Sequence, residues 1–234
     1  MNYTIITPTG DRHKSFELCK KYVDRQSIKP TEWIVVDDGQ TPLKTELPEY
    51  CKYIYRTPSK HDCAHTLPLN LQVAINQITT DYVFIFEDDD WYHPQYVENS
   101  LQYLTQYDLV GHDPTIYYHF DLKKYRTLYY KQNISLYCTC FASKLIPLFT
   151  EICKTDTTFI DRKMWTHPSV QSKFFYTTDK MYAVGIKGLE GRQGKTSGHR
   201  ATMYNDQVAD TGYTQLKQWI GEEDFNGYKQ FIKD

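Results

Sequence analysis

The sequence predicts an α/β fold, a mostly parallel sheet flanked by helices and continued by an antiparallel extension. Three observations carry this. Short apolar runs alternate with helical patterns as far as about residue 107. From about residue 108, strand-like runs follow one another without helices between them. Polar and acidic residues (TPTGDR, DDG and EDDDW) end the first, second and fourth apolar runs. Open parallel sheets bind ligands there, outside the carboxyl ends of their strands.

YTIIT (3–7) has the unbroken apolar character of a buried strand, and residues 14–26 carry apolar side chains at helical spacing. EWIVVDD (32–38) and KYIYR (52–56) are further strands. Residues 67–78 carry Leu, Leu, Val, Ala and Ile on a helical stripe, and DYVFIF (81–86) is the fourth strand. DLVGHDPTIYYHF, YRTLYYK and ISLYCTCFA make up the antiparallel extension. Helices are expected near 144–153 and 157–166, a strand at MYAVGIK (181–187), then a Gly-rich segment and a helix near 214–220. Without an internal repeat or a Pro/Ser-rich linker, the expectation is one domain over 1–234, with halves 1–107 and 108–234.

At 40% hydrophobic and 24% charged residues the composition excludes disorder. The longest apolar runs fall far short of the roughly 20 residues of a membrane helix. MNYTIITPTGDR lacks a basic segment followed by an apolar core, so no signal peptide is expected and the expected location is cytoplasmic. Cys19, Cys51, Cys63, Cys138, Cys140 and Cys153 include no CxxC pair, which argues against structural zinc and for free thiols in a reducing compartment. The sequon-like Asn133 then has no significance.

Charge is segregated. Residues 1–116 hold 10 Lys/Arg against 17 Asp/Glu, whereas residues 117–200 hold 14 against 6. A basic middle beside an acidic first half suits the handling of anions, or else is a solvated face.

Four consecutive carboxylates, Glu87 to Asp90, follow the run YVFIF directly. Packed at a strand end they repel one another, and a divalent cation with hard oxygen ligands relieves that cost. The competing reading is an acidic loop before a helix beginning near Pro94.

TPTGDR, WIVVDDG and EDDDW occur in this order within ninety residues, and the pattern resembles the nucleotide-sugar-dependent glycosyltransferases of family 2, which have the GT-A fold. The resemblance extends to VGIKGLEGRQGKTSGHR (184–200). It implies a GT-A-like sheet whose half 1–107 binds the nucleotide and whose half 108–234 binds the acceptor. Pro8, Thr9 and Arg12 match the loop that lines the base, and Asp37 and Asp38 match the carboxylates that hold base and ribose. On spacing alone those two would equally cap the turn at Gly39. Asn70 matches a position that contacts nucleotide or donor. Asp88 and Asp89 are implied in donor contacts. Asp88, Asp90 and His199 are implied as ligands of Mn²⁺ or Mg²⁺; alone, His199 reads as a surface histidine. EDDD offers both Glu87-x-Asp89 and Asp88-x-Asp90 as the metal-binding pair.

Lys187, Arg192, Lys195 and Arg200 alternate with glycines, as suits a diphosphate leaving group, although such a stretch can also be merely mobile. GLEGRQGKT lacks the spacing of a Walker loop. An inverting transfer needs a carboxylate base. Relatives place it after the antiparallel extension, which points to Asp161, or to Asp156 if that residue is not the cap of the following helix. The donor implied is a nucleotide-diphosphate sugar, UDP-sugar above others.

Between 117 and 131, Lys123, Lys124, Arg126 and Lys131 are interleaved with five Tyr and one Phe. Cations and stacking surfaces suit nucleic acid, and the chain is similar to phage-encoded members that glycosylate hydroxymethylated DNA bases. A bacterial surface glycan or a lipid-linked sugar is the alternative acceptor. A non-catalytic nucleotide-binding module and a nucleotidyltransferase are the alternatives of a different class.

Overall fold

The computed structural model describes residues 1–62, 65–129, 132–155, 158–190 and 207–232. The main sheet has seven strands. Their order is β10 (Lys173–Thr177), β6 (Leu109–Asp113), β9 (Thr139–Ala142), β4 (Tyr82–Ile85), β1 (Tyr3–Thr9), β2 (Glu32–Asp37) and β3 (Cys51–Tyr55). Strands β3, β2, β1 and β4 are mutually parallel, as the alternation of apolar runs and helices requires. Strand β9 runs antiparallel between β4 and β6, and β10 lies parallel to β6 at the edge. Every residue of β1 is buried, because helices cover both faces of a parallel sheet.

Helix α1 (His13–Asp24) buries Phe16, Cys19, Tyr22 and Val23. Phe16 stacks on Trp33 of β2 at 5.7 Å, and the Trp33 indole N–H donates to Thr7 Oγ1 at 3.0 Å. Helix α2 (Leu67–Ile75) packs on β1, β2 and α4 (Ile146–Thr155). Helix α3 (Tyr96–Leu104) faces β6, and α5 (Ile160–Thr166) follows α4.

The second sheet has the order β12 (Val208–Ala209), β8 (Lys124–Leu128), β7 (Thr115–His119), β11 (Ala183–Lys187) and β5 (Trp91–Tyr92). Strands β7 and β8 pair antiparallel, within the expected antiparallel extension. The extension is thus divided: β6 and β9 join the main sheet, and β7 and β8 build the second. In ISLYCTCFA only 139–142 is strand, preceded by a 3₁₀ turn at Leu136–Cys138. Strands β5 and β10 were not anticipated. Helix α6 (Thr214–Tyr228) breaks at Gly221 (φ +80°), so the expected 214–220 helix is its first segment.

Cys19, Cys51, Cys138, Cys140 and Cys153 are free thiols. Among the described residues no helix is long and apolar enough to cross a membrane.

Candidate active site

Strand β4 delivers the four carboxylates into a turn closed by the Asp90 N–H, which donates to the Glu87 carbonyl at 3.3 Å. The turn undoes the simple alternation of side chains along a strand. One oxygen from each of Glu87, Asp89 and Asp90 converges within 4.8 Å of the others. Asp88 turns the opposite way, accepting from Thr9 Oγ1 at 2.7 Å and from the Arg12 guanidinium at 2.8 Å. Arg12 also lies 3.2 Å from Asp89.

The fourth partner comes from the second sheet. Strand β11 pairs with β5, Val184 opposite Trp91, immediately beyond the turn. The Ile186 N–H therefore reaches Asp90 Oδ1 at 2.9 Å. The Lys187 ammonium lies 3.0 Å from Asp90, 3.5 Å from Asp89 and 3.7 Å from Glu87. The chain leaves β11 through Gly188 at φ +82°, where a Cβ would lie 2.4 Å from the His119 ring. Only glycine fits there.

Burial dominates the electrostatics. It raises the Glu87 carboxyl to about 6 against the opposing pull of Lys187. It also raises Asp88, against Arg12, and lifts Asp90 well above the carboxylate range. Burial works against the Lys187 ammonium as well, yet Asp89, Asp90 and Glu87 together hold it protonated well above the ordinary lysine range. The three converging carboxylates are hard oxygen donors, and Asp90 Oδ2 is buried without a hydrogen-bond partner among the described residues. That donor set fits Mg²⁺ or Mn²⁺.

A cleft of about 210 Å³ opens on the turn. Pro8, Thr9, Arg12, Asp38, Asn70, Glu87, Asp88, Asp89 and Lys187 are among the residues lining it. One wall is organised by Arg56, which the sequence reading did not single out. Its guanidinium donates to Asn70 Oδ1 at 2.7 Å, Asp62 Oδ2 at 2.8 Å and Asp38 Oδ2 at 2.5 Å. Asn70 in turn donates to the Thr9 carbonyl at 3.3 Å, which ties α2 to the first loop. An arginine directly after a strand whose neighbour ends in two aspartates was the available signal. His65, Thr66 and Leu67 also line the cleft without having been singled out.

Asp37 faces inward. Its carboxylate accepts from the Gly39 and Leu43 N–H groups at 2.8 and 2.9 Å and from the Tyr53 hydroxyl at 2.8 Å. This is the turn-capping geometry, and Asp37 is not among the residues lining the cleft.

Asp161 stands in the first turn of α5, and burial raises its carboxyl above the ordinary range. Its charge adds to the upward shift of both the Glu87 carboxyl and the Tyr117 hydroxyl. Asp156, Arg192, Lys195, His199, Arg200 and Lys131 lie outside the described residues.

On the second sheet, Lys187 pairs with His119, which pairs with Lys124, and Gly185 pairs with Tyr117, which pairs with Arg126. Paired and alternate residues share a face. The face that carries Lys187 to the carboxylates thus continues outward through Lys124 and Arg126. Lys123 departs from it at φ +50°, its ammonium 5.1 Å from the Tyr213 ring centroid.

The family model "Glycosyl transferase family 2" matches residues 4–165. No curated protein matches the chain. Among solved structures, S. aureus TarS 1-349 in complex with UDP is similar at a TM-score of 0.57 and 13% identity, over 80% of this chain and 60% of that chain. This chain thus covers less than two thirds of that one. The same TarS fragment with UDP-GlcNAc gives 0.56 and 15%, over 99% and 73%. The mannosyltransferase PcManGT from Pyrobaculum calidifontis, in complex with GDP-Man and Mn²⁺, gives 0.55 and 12%, over 82% and 58%. These identities speak for the shared fold, and the family model covers most of the chain: the protein belongs to glycosyl transferase family 2 and has the GT-A fold.

Proposed function

We propose that this protein binds a nucleotide-diphosphate sugar in the cleft beside the acidic turn and transfers the sugar to an acceptor hydroxyl. The observation that carries this reading is the convergence of Asp38, Asn70 and Arg12 with the carboxylates of Glu87, Asp88 and Asp89 on one cleft at the carboxyl ends of β1, β2 and β4. The similar structures were solved with UDP, UDP-GlcNAc, or GDP-Man and Mn²⁺.

In this reading Pro8, Thr9 and Asp38 border the nucleoside, and Arg56 fixes Asp38 and Asn70 in place. Glu87, Asp89 and Asp90 would hold a divalent cation, which when bound would neutralise charge on the diphosphate. Arg12 and Lys187 supply positive charge to the same end of the cleft. Asp161 takes the acceptor proton: it is a half-buried carboxylate in the first turn of α5 with a raised pKa, and its charge is felt by Glu87 in the acidic turn.

The acceptor we propose is a hydroxymethylated base in DNA, approached along the face carrying Lys124 and Arg126. Support comes from the cationic row leading outward from Lys187. A panel of nucleotide sugars assayed with Mn²⁺, with and without hydroxymethylated DNA, tests the whole reading. Release of nucleoside diphosphate only with such DNA supports it. Release of pyrophosphate would instead mark a nucleotidyltransferase, and a neutral-glycan requirement would exclude DNA. For DNA, replacing Lys124 and Arg126 with Ala should reduce the slope of log affinity against log salt by about two, at roughly 0.9 per lost phosphate contact.

A further inference from the structure

The acidic turn is already partly neutralised from within. Four carboxylates, Glu87 to Asp90, meet two cations, Arg12 and Lys187, and the two cations divide the work. Arg12 serves Asp88 and Asp89. Lys187 serves Asp89, Asp90 and Glu87 at 3.5, 3.0 and 3.7 Å, the same three residues whose oxygens converge within 4.8 Å. The ammonium therefore stands among the oxygens that a divalent cation would use. It is 5% exposed and rooted in β11, which the Ile186 N–H and the pairing with β5 fix against the turn. Asp90 Oδ2 is buried and has no hydrogen-bond partner among the described residues, so Lys187, which binds Oδ1, leaves the other oxygen of that carboxylate unsatisfied.

We propose that Lys187 is the resident counter-ion of the acidic turn: it holds the cluster together before metal arrives, and it yields its contacts to an entering divalent cation. Three carboxylates gathered without any cation would repel one another in a buried setting, which is the state Lys187 prevents. A divalent ion entering beside a fixed ammonium meets like-charge repulsion at contact distance. The two therefore exclude one another. Lys187 also lines the cleft, so a displaced ammonium faces the end of the cleft assigned to the diphosphate. The inference rests on the nucleotide-sugar reading for that last placement alone.

The test measures Mn²⁺ binding to donor-free protein by the electron paramagnetic resonance signal of free Mn²⁺. Lys187→Met keeps the side-chain volume and removes the competing charge. It is expected to bind Mn²⁺ on the order of tenfold tighter than the parent protein, to be less heat-stable without metal, and to regain stability as Mn²⁺ is added. Equal or weaker Mn²⁺ binding by the variant overturns the proposal. If Lys187→Met alone does not fold, Asp88→Asn/Lys187→Met is compared with Asp88→Asn. Each loses Asp88, which lies outside the converging set, and the double variant keeps the original net charge. The double variant must again bind Mn²⁺ more tightly than the single. UDP binding to the parent, measured by calorimetry, separates the two readings: its absence would sink the nucleotide assignment while leaving the metal competition standing.

Discussion

Arg56→Met removes one guanidinium that holds three separate pieces of chain together. Asp38 lies beyond β2, Asp62 in the loop after β3 and Asn70 on α2. The Arg56 side chain is 16% exposed and that of Asp38 only 3%. Hydrogen bonds to charged groups contribute roughly 1.5–3 kcal/mol each. The Asp62 contact belongs at the low end, since that side chain is 15% exposed. Removing one member of a buried pair typically costs about 3–5 kcal/mol, because the remaining charge is stranded. We expect Arg56→Met to lower stability by about 3–4 kcal/mol. Asp38→Asn should relieve part of that loss in the double variant, giving a coupling of about 2 kcal/mol. Urea unfolding of the parent, both single variants and the double variant, followed by tryptophan fluorescence, completes the cycle. A shared m-value is the condition for comparing the four. A loss under about 1 kcal/mol, or strict additivity, would refute the view that Arg56 clamps the cleft wall through Asp38.

Two further outcomes follow from the titratable groups. Asp161→Asn should lower kcat with acceptor by roughly 10²–10⁴ while UDP affinity stays within twofold; a base acts deprotonated and burial raises this one, so the acid limb of kcat should lie above the usual carboxylate range, and an Asn variant of full activity would eliminate Asp161. His112 is buried against Tyr176 and Tyr182, and burial lowers it to about 4. The unfolded chain takes up this proton near 6.5, so between about 6.5 and 4 the unfolded state binds more protons and stability falls as pH falls. The contribution is fully present above that window, and about 2 kcal/mol of it should be lost by pH 5. The difference between urea midpoints at pH 7 and 5 should shrink in His112→Phe, with His93, also lowered to about 4, retaining its own share, and an unchanged pH dependence would remove His112 as a cause.

Much of the scaffold was legible because strands buried on both faces must be continuously apolar. YTIIT, WIVV and YVFIF announce β1, β2 and β4, and their polar ends mark where ligands meet the sheet. The order of TPTGDR, WIVVDDG and EDDDW was enough to indicate the family, and Thr9, Arg12, Asp38 and Asn70 do come together in one cleft. Helical spacing located α1, α2 and α4 to within a few residues, since each needs an apolar stripe to face its sheet.

What remained hidden depended on partners distant in the chain. Strand β5 has two residues, too few for any periodicity, and exists because β11 arrives beside it from some ninety positions away. That pairing brings Lys187 to the carboxylates, whereas its neighbours in sequence suggested a pliable phosphate loop. A strand period pairs Asp88 with Asp90; the turn closed by the Asp90 N–H instead groups Asp90 with Glu87 and Asp89. Asp37 and Asp38 are adjacent and chemically identical, yet one caps a turn from within and the other lines the cleft. Residue identity determined that an anionic, oxygen-rich site would stand at the end of β4. Long-range backbone pairing, which local spacing does not encode, decided which oxygens converge and which cation meets them.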